Sequence, residues 1–534
     1  MKINTLLALL CAALCSISSY GQEHNAPPRR EIRHLITTDG SLTETESPMQ
    51  RASGEYIMGK FPTEGEIKAV VILAAFADIP FSVSNDSITK LLSNRYNGDN
   101  YKEEVSFDEY SEVWEQYISV QVTIPGSARD YFRDQSLKKF SPSFDIIGPV
   151  TLPRSRKYYG ANDTTFVDNE TKDSIKSVKL DVKVNDMIKD ACKAAYDNEL
   201  TDFSDYDNDG DGLVDIVYVV YSGSDEAQTG IGDYIWAKKS NLSSAITLGN
   251  KKIKRFACSA ELVADVPVVA GIGTFVHEFS HVLGLPDFYN TKNSEEFTMN
   301  VWSVMDYGMY NAEGFVPCAY TAFERYSLGW IPMHTLDAPT TMSIGTTEEE
   351  STGYRIFTSN LEGLNPITKA DTASFYVIET IRREGWNRYA PTNGLLISEV
   401  TYDASSWKSN TVNAGEHYRH RILPANNEYK YKTANYHLFG KGNQEFTLTS
   451  TPASITHFGV RMNKPLTEIN YDAETGKTSF LFCGRNITDG VDGSIDYSDI
   501  TIQHSELIYD LQGRIVENPS KGIYIRNGKK VVIK

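Results

Sequence analysis

The fold is decided by the stretch Val269-Ala-Gly-Ile-Gly-Thr-Phe-Val-His277-Glu278-Phe-Ser-His281-Val-Leu-Gly284-Leu-Pro-Asp287. Its apolar residues recur at the three-and-four spacing of a helix that packs against a core. On such a helix His277 and His281 lie one above the other on the same face, because positions four apart are neighbours. The pair can therefore bind one metal ion, and Glu278 lies beside that metal without having to bind it.

The end of this stretch makes the metal prediction more specific. Gly284 suits the left-handed conformation that ends a helix, so the chain can turn back and bring Asp287 towards the metal. Gly273 and Gly284 also leave room for another group to approach the helix. HExxH alone is a weak motif, whereas HExxHxxGxxD on a helical segment is far more specific. The alternative is a buried helix whose two histidines are ordinary core residues.

Length and charge limit the class of protein and its partners. With 534 residues the chain can bury a sizeable core and hold more than one domain. Its net charge of −18 argues against nucleic acid or an anionic membrane as a partner, because both are negatively charged and bind proteins through Lys and Arg. An acidic chain of this kind suits Ca²⁺ better.

The first residues have the pattern of a targeting segment. Lys2 is followed by an apolar run over 6–14 and by a stretch of small and polar residues that ends at Gly21. This pattern predicts a signal peptide over residues 1–21, and hence a protein that is secreted or held at the cell surface. No other apolar run is long enough to span a bilayer. Residues 22–65 are polar, and we expect either a propeptide or a plain linker there.

We assign the motif to a domain of α/β (α+β) class over residues 66–333. A continuous apolar run over 69–76 predicts a central strand that is buried on both faces. The other elements expected in this domain are helices over 84–94, 127–136 (with Ser127 as its cap), 173–197 and 315–330, and a strand over 144–150.

A cluster of acidic residues lies between the helix expected over 173–197 and the next apolar strand. Asp207, Asp209, Asp211 and Asp215 occur with turn-forming glycines and offer the oxygen-rich cage that Ca²⁺ prefers. Counted from Asp207, the twelfth position is Tyr218 rather than the bidentate glutamate of an EF-hand. The pattern therefore predicts a calcium-binding turn, and the alternative is an acidic surface turn.

The pattern of apolar and polar residues changes after Pro332. Short alternating strands separated by turns predict a β-sandwich-like companion domain over residues 334–484. Residues 485–505 are polar and rich in Asp and Gly, as expected of a linker. The last residues, 506–534, are predicted to form a small β module, in which Asn527-Gly528 favours a hairpin turn.

The residues of the motif indicate a hydrolytic reaction. Two neutral imidazoles and a carboxylate around Zn²⁺ leave a fourth position for water, which is the arrangement of a catalytic site. The metal lowers the pKa of that water, and Glu278 is suited to accept its proton and pass it to a leaving amine. Tyr307 is a candidate for stabilising the oxyanion; the alternative is a tyrosine that only packs.

The motif over 277–287, followed by Ser303-Val-Met305-Asp-Tyr307, resembles the immune inhibitor A-like secreted metallopeptidases, which are metzincin-like zinc peptidases. The resemblance extends over residues 66–430. The roles that it implies are zinc ligands for His277, His281 and Asp287, general base for Glu278, and a turn beneath the metal for Met305.

The third zinc ligand is open at this stage. Most metzincins have a third histidine where this chain has Asp287. Three glutamates could supply the oxygen ligand instead: Glu295, Glu296 and Glu324. A second pair of histidines, His417 and His420, has a spacing that could hold a metal, but in a β-rich region such a pair is more often structural.

The final module has a resemblance of its own. The runs Tyr509-Asp-Leu-Gln-Gly-Arg514 and Gly522-Ile-Tyr-Ile525 are similar to the C-terminal sorting domains of bacterial proteins exported by the type IX system. The resemblance implies that the export machinery is a partner. The alternative is a terminal β module with no targeting function.

These features together predict a secreted zinc endopeptidase with a metzincin-like domain, protein or peptide substrates, and Ca²⁺ as a second ion. Two alternatives stay open. One is a catalytically silent surface protein that keeps the fold and binds glycan or protein, and the other is a zinc exopeptidase. The intact Glu278 favours the enzyme, because a binding protein has no need of a general base.

Overall fold

The structure is a computed structural model, and the part of the chain that it describes falls into two compact units divided after Gly484. The described residues are 49–50, 56–57, 61–93, 103–111, 116–166, 175–263, 268–358, 373–484, 508–509, 522–526 and 529–533. The predicted signal peptide (1–21), most of the predicted propeptide or linker (22–65) and the predicted linker (485–505) lie outside these residues, so they stay predictions.

A six-stranded mixed sheet forms the centre of the larger unit. From edge to edge its strands are Lys238–Leu248, Lys251–Ala260, Val217–Tyr221, Gly65–Ala75 and Phe140–Thr151, and Leu213–Val214 also pairs with the second of these. All pairs are parallel except at the edge strand Lys238–Leu248, which is antiparallel to its neighbour. The predicted central strand is confirmed, since Gly65–Ala75 has neighbours on both sides and the side chains of residues 70–74 are fully buried.

Helices cover both faces of this sheet, as the alternation of strand side chains requires. On one face Val71 and Leu73 share a core with the helix Ile272–Leu283, which we call the motif helix. On the other face Val70 and Ile72 pack with the helix Val184–Asp197. The mixed α/β class is therefore confirmed.

The motif helix is fixed to the sheet by aromatic residues. Phe275 packs against Phe144 and Tyr218, with ring centroids 4.9 and 4.3 Å apart, and Phe279 lies 5.2 Å from Phe144. Burying one such side chain stabilises a fold by about 1.5–3 kcal/mol. Because these rings all point to the sheet, the histidines of the same helix are turned towards the opposite side.

Two helix predictions in this region hold and two were too long. The helices Asn85–Ser93 and Ala128–Gln135 are confirmed, and Ser127 caps the second through a capping box with Asp130. The prediction of one helix over 173–197 was wrong at its start, because Ile175–Lys179 is a strand paired with Asp163–Phe166 and the helix begins only at Val184. The β-branched Ile175 and Val178 favour the extended conformation.

The helix predicted over 315–330 was also too long. It spans only Ala322–Ser327, because Thr321 and Glu324 form a capping box that starts the helix there. The remaining helices, some of them single 3₁₀ turns, are Arg156–Gly160, Ser204–Tyr206, Glu226–Thr229, Asn300–Trp302, Tyr307–Gly314, Thr347–Glu350, Gly385–Asn387, Ala404–Lys408 and Tyr431–Tyr436. Two further antiparallel pairs are Met49–Gln50 with Tyr56–Ile57 and Glu103–Ser111 with Gln116–Ile124.

Residues 333–482 contain two more sheets. The five-stranded one has the order Met333–Thr335, Gly353–Phe357, Ala373–Ile381, Gly394–Tyr402, His420–Ile422. The three-stranded one has the order Thr340–Ile344, Lys477–Phe482, Leu466–Asp472.

The five-stranded sheet contributes to two cores. Along the strand Ala373–Ile381, Phe375 and Val377 point into the core that contains the motif helix, whereas Tyr376 and Ile378 point into a separate core shared with the three-stranded sheet. The region after Pro332 is thus packed directly onto the part that carries the metal motif. The predicted boundary at residue 333 and the β-sandwich-like fold stay predictions.

In the smaller unit the described strands are Ile508–Tyr509, Gly522–Arg526 and Lys529–Ile533, in an antiparallel sheet. Arg526 pairs with Lys529, so the strands on either side of the predicted turn do pair as a hairpin. Over the described part of the whole chain, we find no helix that has both the length and the apolar character to cross a membrane.

Candidate metal centre

The motif helix presents the two histidines as its sequence predicts. The helix starts after Gly271 and ends at Gly284, which has the left-handed conformation (φ 106°) expected of a helix stop. The rings of His277 and His281 lie on one face with centroids 4.7 Å apart. After Gly284 the chain turns back and brings Asp287 to the same face, where its Oδ1 lies 3.2 Å from the Nε2 atom of each histidine.

The hydrogen bonds of the two rings determine which nitrogen faces Asp287. The Nδ1 atom of His277 lies 2.9 Å from the carbonyl oxygen of Val304, and that of His281 lies 2.7 Å from the carbonyl oxygen of Leu285. A carbonyl only accepts, so each Nδ1 carries the proton and each neutral ring presents the lone pair of Nε2. Two lone pairs and a carboxylate oxygen therefore point at one another with no proton between them.

This arrangement fits a metal ion. Asp287 is 2% exposed, and its buried Oδ1 accepts no hydrogen bond among the described residues. In a tetrahedral zinc site with bonds near 2.0–2.1 Å the ligand atoms lie roughly 3.3 Å apart, which is close to the 3.2 Å separations here.

The other candidates for a third ligand lie elsewhere. Glu295 and Glu296 are exposed. Glu324 is fully buried, where it accepts a hydrogen bond from the Ser303 hydroxyl and closes the capping box with Thr321. Among the residues that we predicted, the structure brings only Asp287 to the two histidines.

Glu278 is buried next to this group, at 3% exposure. Burial is the main cause that raises the pKa of its carboxyl to about 7, and the negative charge of Asp287 also raises it. A carboxyl with a pKa near neutrality can both accept and release a proton at physiological pH. Its side chain lines a cavity that begins at His277.

The cavity beside Glu278 is mainly apolar and aromatic. Outside the motif helix its lining includes two carboxylates, Asp225 and Asp306, and is otherwise apolar or aromatic: Ala227, Trp236, Ala237, Tyr289, Tyr307, Met309 and Tyr310. A concave apolar pocket next to titratable groups is the usual form of a ligand site. Sequence reasoning found Tyr307 but missed the other residues, because no local pattern marks residues that come from separate segments of the chain.

The segment after the motif helix supports the site from below. Val304 holds His277 as described, and Met305, fully buried in the same core, accepts a hydrogen bond from the backbone of Phe288 at 2.8 Å. Tyr307 lines the cavity, but its hydroxyl donates to the carbonyl oxygen of Ser294 at 2.9 Å. A role at an oxyanion would require Tyr307 to exchange that hydrogen bond.

The predicted calcium residues are only partly brought together. Carboxylate oxygens of Asp207, Asp209 and Asp211 lie within 4.8 Å of one another. Asp215 is buried and accepts hydrogen bonds from the backbone and side chain of Asn208 instead. The ammonium group of Lys251 lies 2.6 Å from Asp207, where it would compete with a cation.

An HExxH helix on one face of a mixed sheet, with a further acidic ligand beyond the helix stop, is the arrangement of the zinc metallopeptidases. The comparison with protein families agrees. Residues 59–331 match the model described as immune inhibitor A peptidase M6, catalytic domain. This match covers half of the chain, and the chain belongs to the immune inhibitor A family of metallopeptidases.

Two individual proteins illustrate the relation. The chain is 24% identical over 284 residues to the pre-pro-metalloprotease PrtV of Vibrio cholerae serotype O1, an alignment that covers 49% of this chain and 29% of that protein. It is 23% identical over 282 residues to immune inhibitor A of Bacillus thuringiensis subsp. alesti, covering 48% of this chain and 38% of that protein. The chain thus spans well under half the length of these relatives.

Proposed function

We propose that the protein is a secreted zinc endopeptidase of metzincin-like fold that cleaves extracellular proteins. The observation that carries the proposal is the convergence of His277, His281 and Asp287, with Glu278 buried beside them. Zinc is the expected metal because two imidazoles and one carboxylate form a three-ligand catalytic set. Both relatives are named as a metalloprotease or as a member of this peptidase family, which supports the same chemistry.

In this proposal His277, His281 and Asp287 hold the metal, which supplies Lewis acidity and an acidified water when bound. Glu278 accepts the proton of the attacking water and later donates it to the amine that leaves. The apolar cavity next to Glu278 receives a side chain of the substrate and so orients the peptide bond. Met305 supports the metal from beneath, and Tyr307 is retained as the oxyanion partner; Tyr307→Phe should leave the rate unchanged if the tyrosine only packs.

Export is part of the proposal. The predicted signal peptide over 1–21 and the predicted propeptide over 22–65 agree with the pre-pro architecture that the name of the Vibrio relative describes. We also propose that residues 506–534 act as a sorting module for type IX export. Amino-terminal sequencing of the protein recovered from culture medium tests the first cleavage, and retention of a chain truncated after residue 484 inside the cell tests the sorting role.

Glu278→Gln tests the enzymatic role. Removing the general base should lower turnover of casein by about 100- to 10,000-fold, while zinc stays bound because Glu278 is not a ligand. Glu295→Gln, which changes an exposed carboxylate, is the matched control and should keep full activity. Unchanged turnover in Glu278→Gln would sink the assignment.

The same assays separate the alternatives. A silent binding protein would hold zinc but would not cleave casein or gelatin. An exopeptidase would fail on a peptide that is blocked at both ends, whereas the proposed endopeptidase cleaves it.

The calcium site is retained as a proposal for Asp207, Asp209 and Asp211, with Asp215 in a supporting position. Since Lys251 competes with a cation at Asp207, Lys251→Gln should tighten calcium binding. Isothermal titration that detects no calcium binding by either form would remove the proposal.

A further inference from the structure

A segment more than a hundred residues away from the motif holds the third metal ligand. The carboxylate Oδ2 of Asp287 accepts a hydrogen bond from the Nδ2 amide of Asn410 at 2.6 Å. The backbone N–H of Asp287 donates to the side-chain Oδ1 of Asn410 at 2.7 Å. These two reciprocal bonds fix both the position of the Asp287 backbone and the rotation of its carboxylate.

The two carboxylate oxygens of Asp287 make different contacts. Oδ2 is used by Asn410, and the orphaned Oδ1 is left facing the two Nε2 atoms. An amide is suited to this task because it is neutral, and it donates to the carboxylate and accepts from the backbone at once. Lysine or arginine at this place would neutralise Asp287 and weaken its attraction for a metal ion.

The backbone around Asn410 is built for this contact. Asn410 follows the helix Ala404–Lys408 in the left-handed conformation (φ 55°), which asparagine tolerates better than most residues. Its own carbonyl accepts a hydrogen bond from the hydroxyl of Thr291 at 3.3 Å. The amide therefore points at Asp287 as a consequence of how the short helix ends.

Residues next to Asn410 also contact the residues on either side of Asp287. Trp407 packs against Phe288, with ring centroids 5.5 Å apart, and its indole N–H donates to the carbonyl oxygen of Gly284 at 3.4 Å. The Nδ2 amide of Asn413 donates to the carbonyl oxygen of Phe288 at 2.6 Å. We define residues 407–413 as the clamp segment.

We propose that Asn410 is a positioning residue for the metal site. The ligands of that site all come from the family-matched part of the chain, and the clamp segment, from the β-rich part, completes it. The inference rests on the proposed zinc function. The family match ends at residue 331, so the matched part contains every ligand but lacks the side chain that orients the third one.

Asn410→Gly in the full chain is the test, because glycine keeps the left-handed backbone while the amide is lost. Loss of an outer partner of a metal ligand weakens metal binding by about 10- to 100-fold. We expect that increase in the zinc Kd, measured by competition with a chromophoric chelator, and an altered visible spectrum of the Co²⁺-substituted protein. The unfolding temperature of the metal-free protein should stay close to that of the wild type.

Asn427→Gly is the matched control. Asn427 is exposed and has nearly the same left-handed backbone (φ 56°), so this change should leave the zinc Kd and the Co²⁺ spectrum unaltered. Asn410→Ala, which removes the same amide, serves as the second variant if the glycine variant does not fold.

The outcomes separate this inference from the proposed function. Wild-type zinc affinity in Asn410→Gly would overturn the positioning role and leave the proposed function standing. Failure of both Asn410 variants to unfold cooperatively would also overturn it, in favour of a purely structural role. If the wild-type chain itself binds no zinc, the proposed function fails, and the inference fails with it.

Discussion

At the scale of single residues, the metal site depends on where two protons lie. The carbonyl oxygens of Val304 and Leu285 hold the protons of His277 and His281 on Nδ1, so both Nε2 lone pairs are free to meet Asp287. Since all three proposed ligand groups are largely buried, the repulsion between unshared electron pairs is poorly screened in the absence of a cation. In the proposed metal site, backbone carbonyls rather than additional charges therefore orient the two rings.

Asp287→Ala should weaken zinc binding by more than the roughly 10- to 100-fold that loss of an outer partner costs, because the direct ligand itself is removed. Zinc content after dialysis against a weak chelator measures this. Glu295→Gln and Glu296→Gln, the exposed alternatives, should keep one zinc per chain. If either of them lost zinc while Asp287→Ala retained it, the third ligand would have been assigned wrongly.

The sequence was a good guide to the residues of the helix and its end. The four-residue spacing predicted that His277 and His281 share one face, and Gly284 favoured the approach of Asp287, although three glutamates stayed open as alternatives. Asn410 could not be predicted in that way. Its contact depends on tertiary packing across 123 residues, and the only local sign is an asparagine at the end of a short helix.

At the scale of elements, the motif helix is positioned by close backbone contact as well as by aromatic packing. The sequence indicated that Gly273 leaves room for an approaching group. The structure shows that this group is the chain's own backbone: a Cβ atom at Gly273 would lie 1.9 Å from the carbonyl oxygen of Met309. The helix therefore touches the segment 307–314 that lines the cavity.

Gly273→Ala should destabilise the fold by about 1–3 kcal/mol, the usual cost of overpacking a tightly packed site. Its activity should fall as well, because the helix and Met309 must separate next to Glu278. Urea unfolding provides the free energy of unfolding. Gly442→Ala is the control, since a Cβ there meets nothing within 4 Å and the change should have an effect within about 0.5 kcal/mol. Equal stability of the two variants would contradict the close contact.

Element boundaries were harder to predict than element types. Ser127 marked the start of its helix correctly, because a capping box is a local signal. The start of the helix predicted over 173–197 was wrong, since the helix begins only at Val184. Tertiary pairing of Ile175–Lys179 with Asp163–Phe166 overrode the helical spacing there.

At the scale of the whole molecule, the part that carries the metal motif and the β-rich part are joined through the five-stranded sheet and a buried histidine. His420 is on the last strand of the five-stranded sheet, and its ring packs against Phe288 and Phe323 with centroids 4.5 and 5.0 Å away. Its Nδ1 atom lies 3.0 Å from the carbonyl oxygen of Glu399. His420 is therefore a structural residue at the junction, as its place in a β-rich region indicates.

We expect this junction to make the fold sensitive to acid. Burial lowers the pKa of His420 to about 4, while the hydrogen bond to the carbonyl oxygen of Glu399 raises it. A folded-state pKa below the unfolded value of about 6.5 means that the unfolded chain binds the proton more readily. The stability that depends on neutral His420 is fully present above about pH 6.5, and it declines by about 3 kcal/mol as the pH falls towards 4.

His420→Gln should reduce this decline, because glutamine keeps a donor for the Glu399 carbonyl but does not titrate. The free energy of unfolding, measured by urea titration between pH 7 and pH 4, should depend less steeply on pH than in the wild type. The difference in slope should be at most the slope that the binding of one proton gives. His334→Gln, an exposed histidine on the same sheet, should leave the slope unchanged. If His420→Gln had the wild-type slope and His334→Gln did not, acid sensitivity would not come from the junction, and the two parts of the molecule would have to be coupled in some other way.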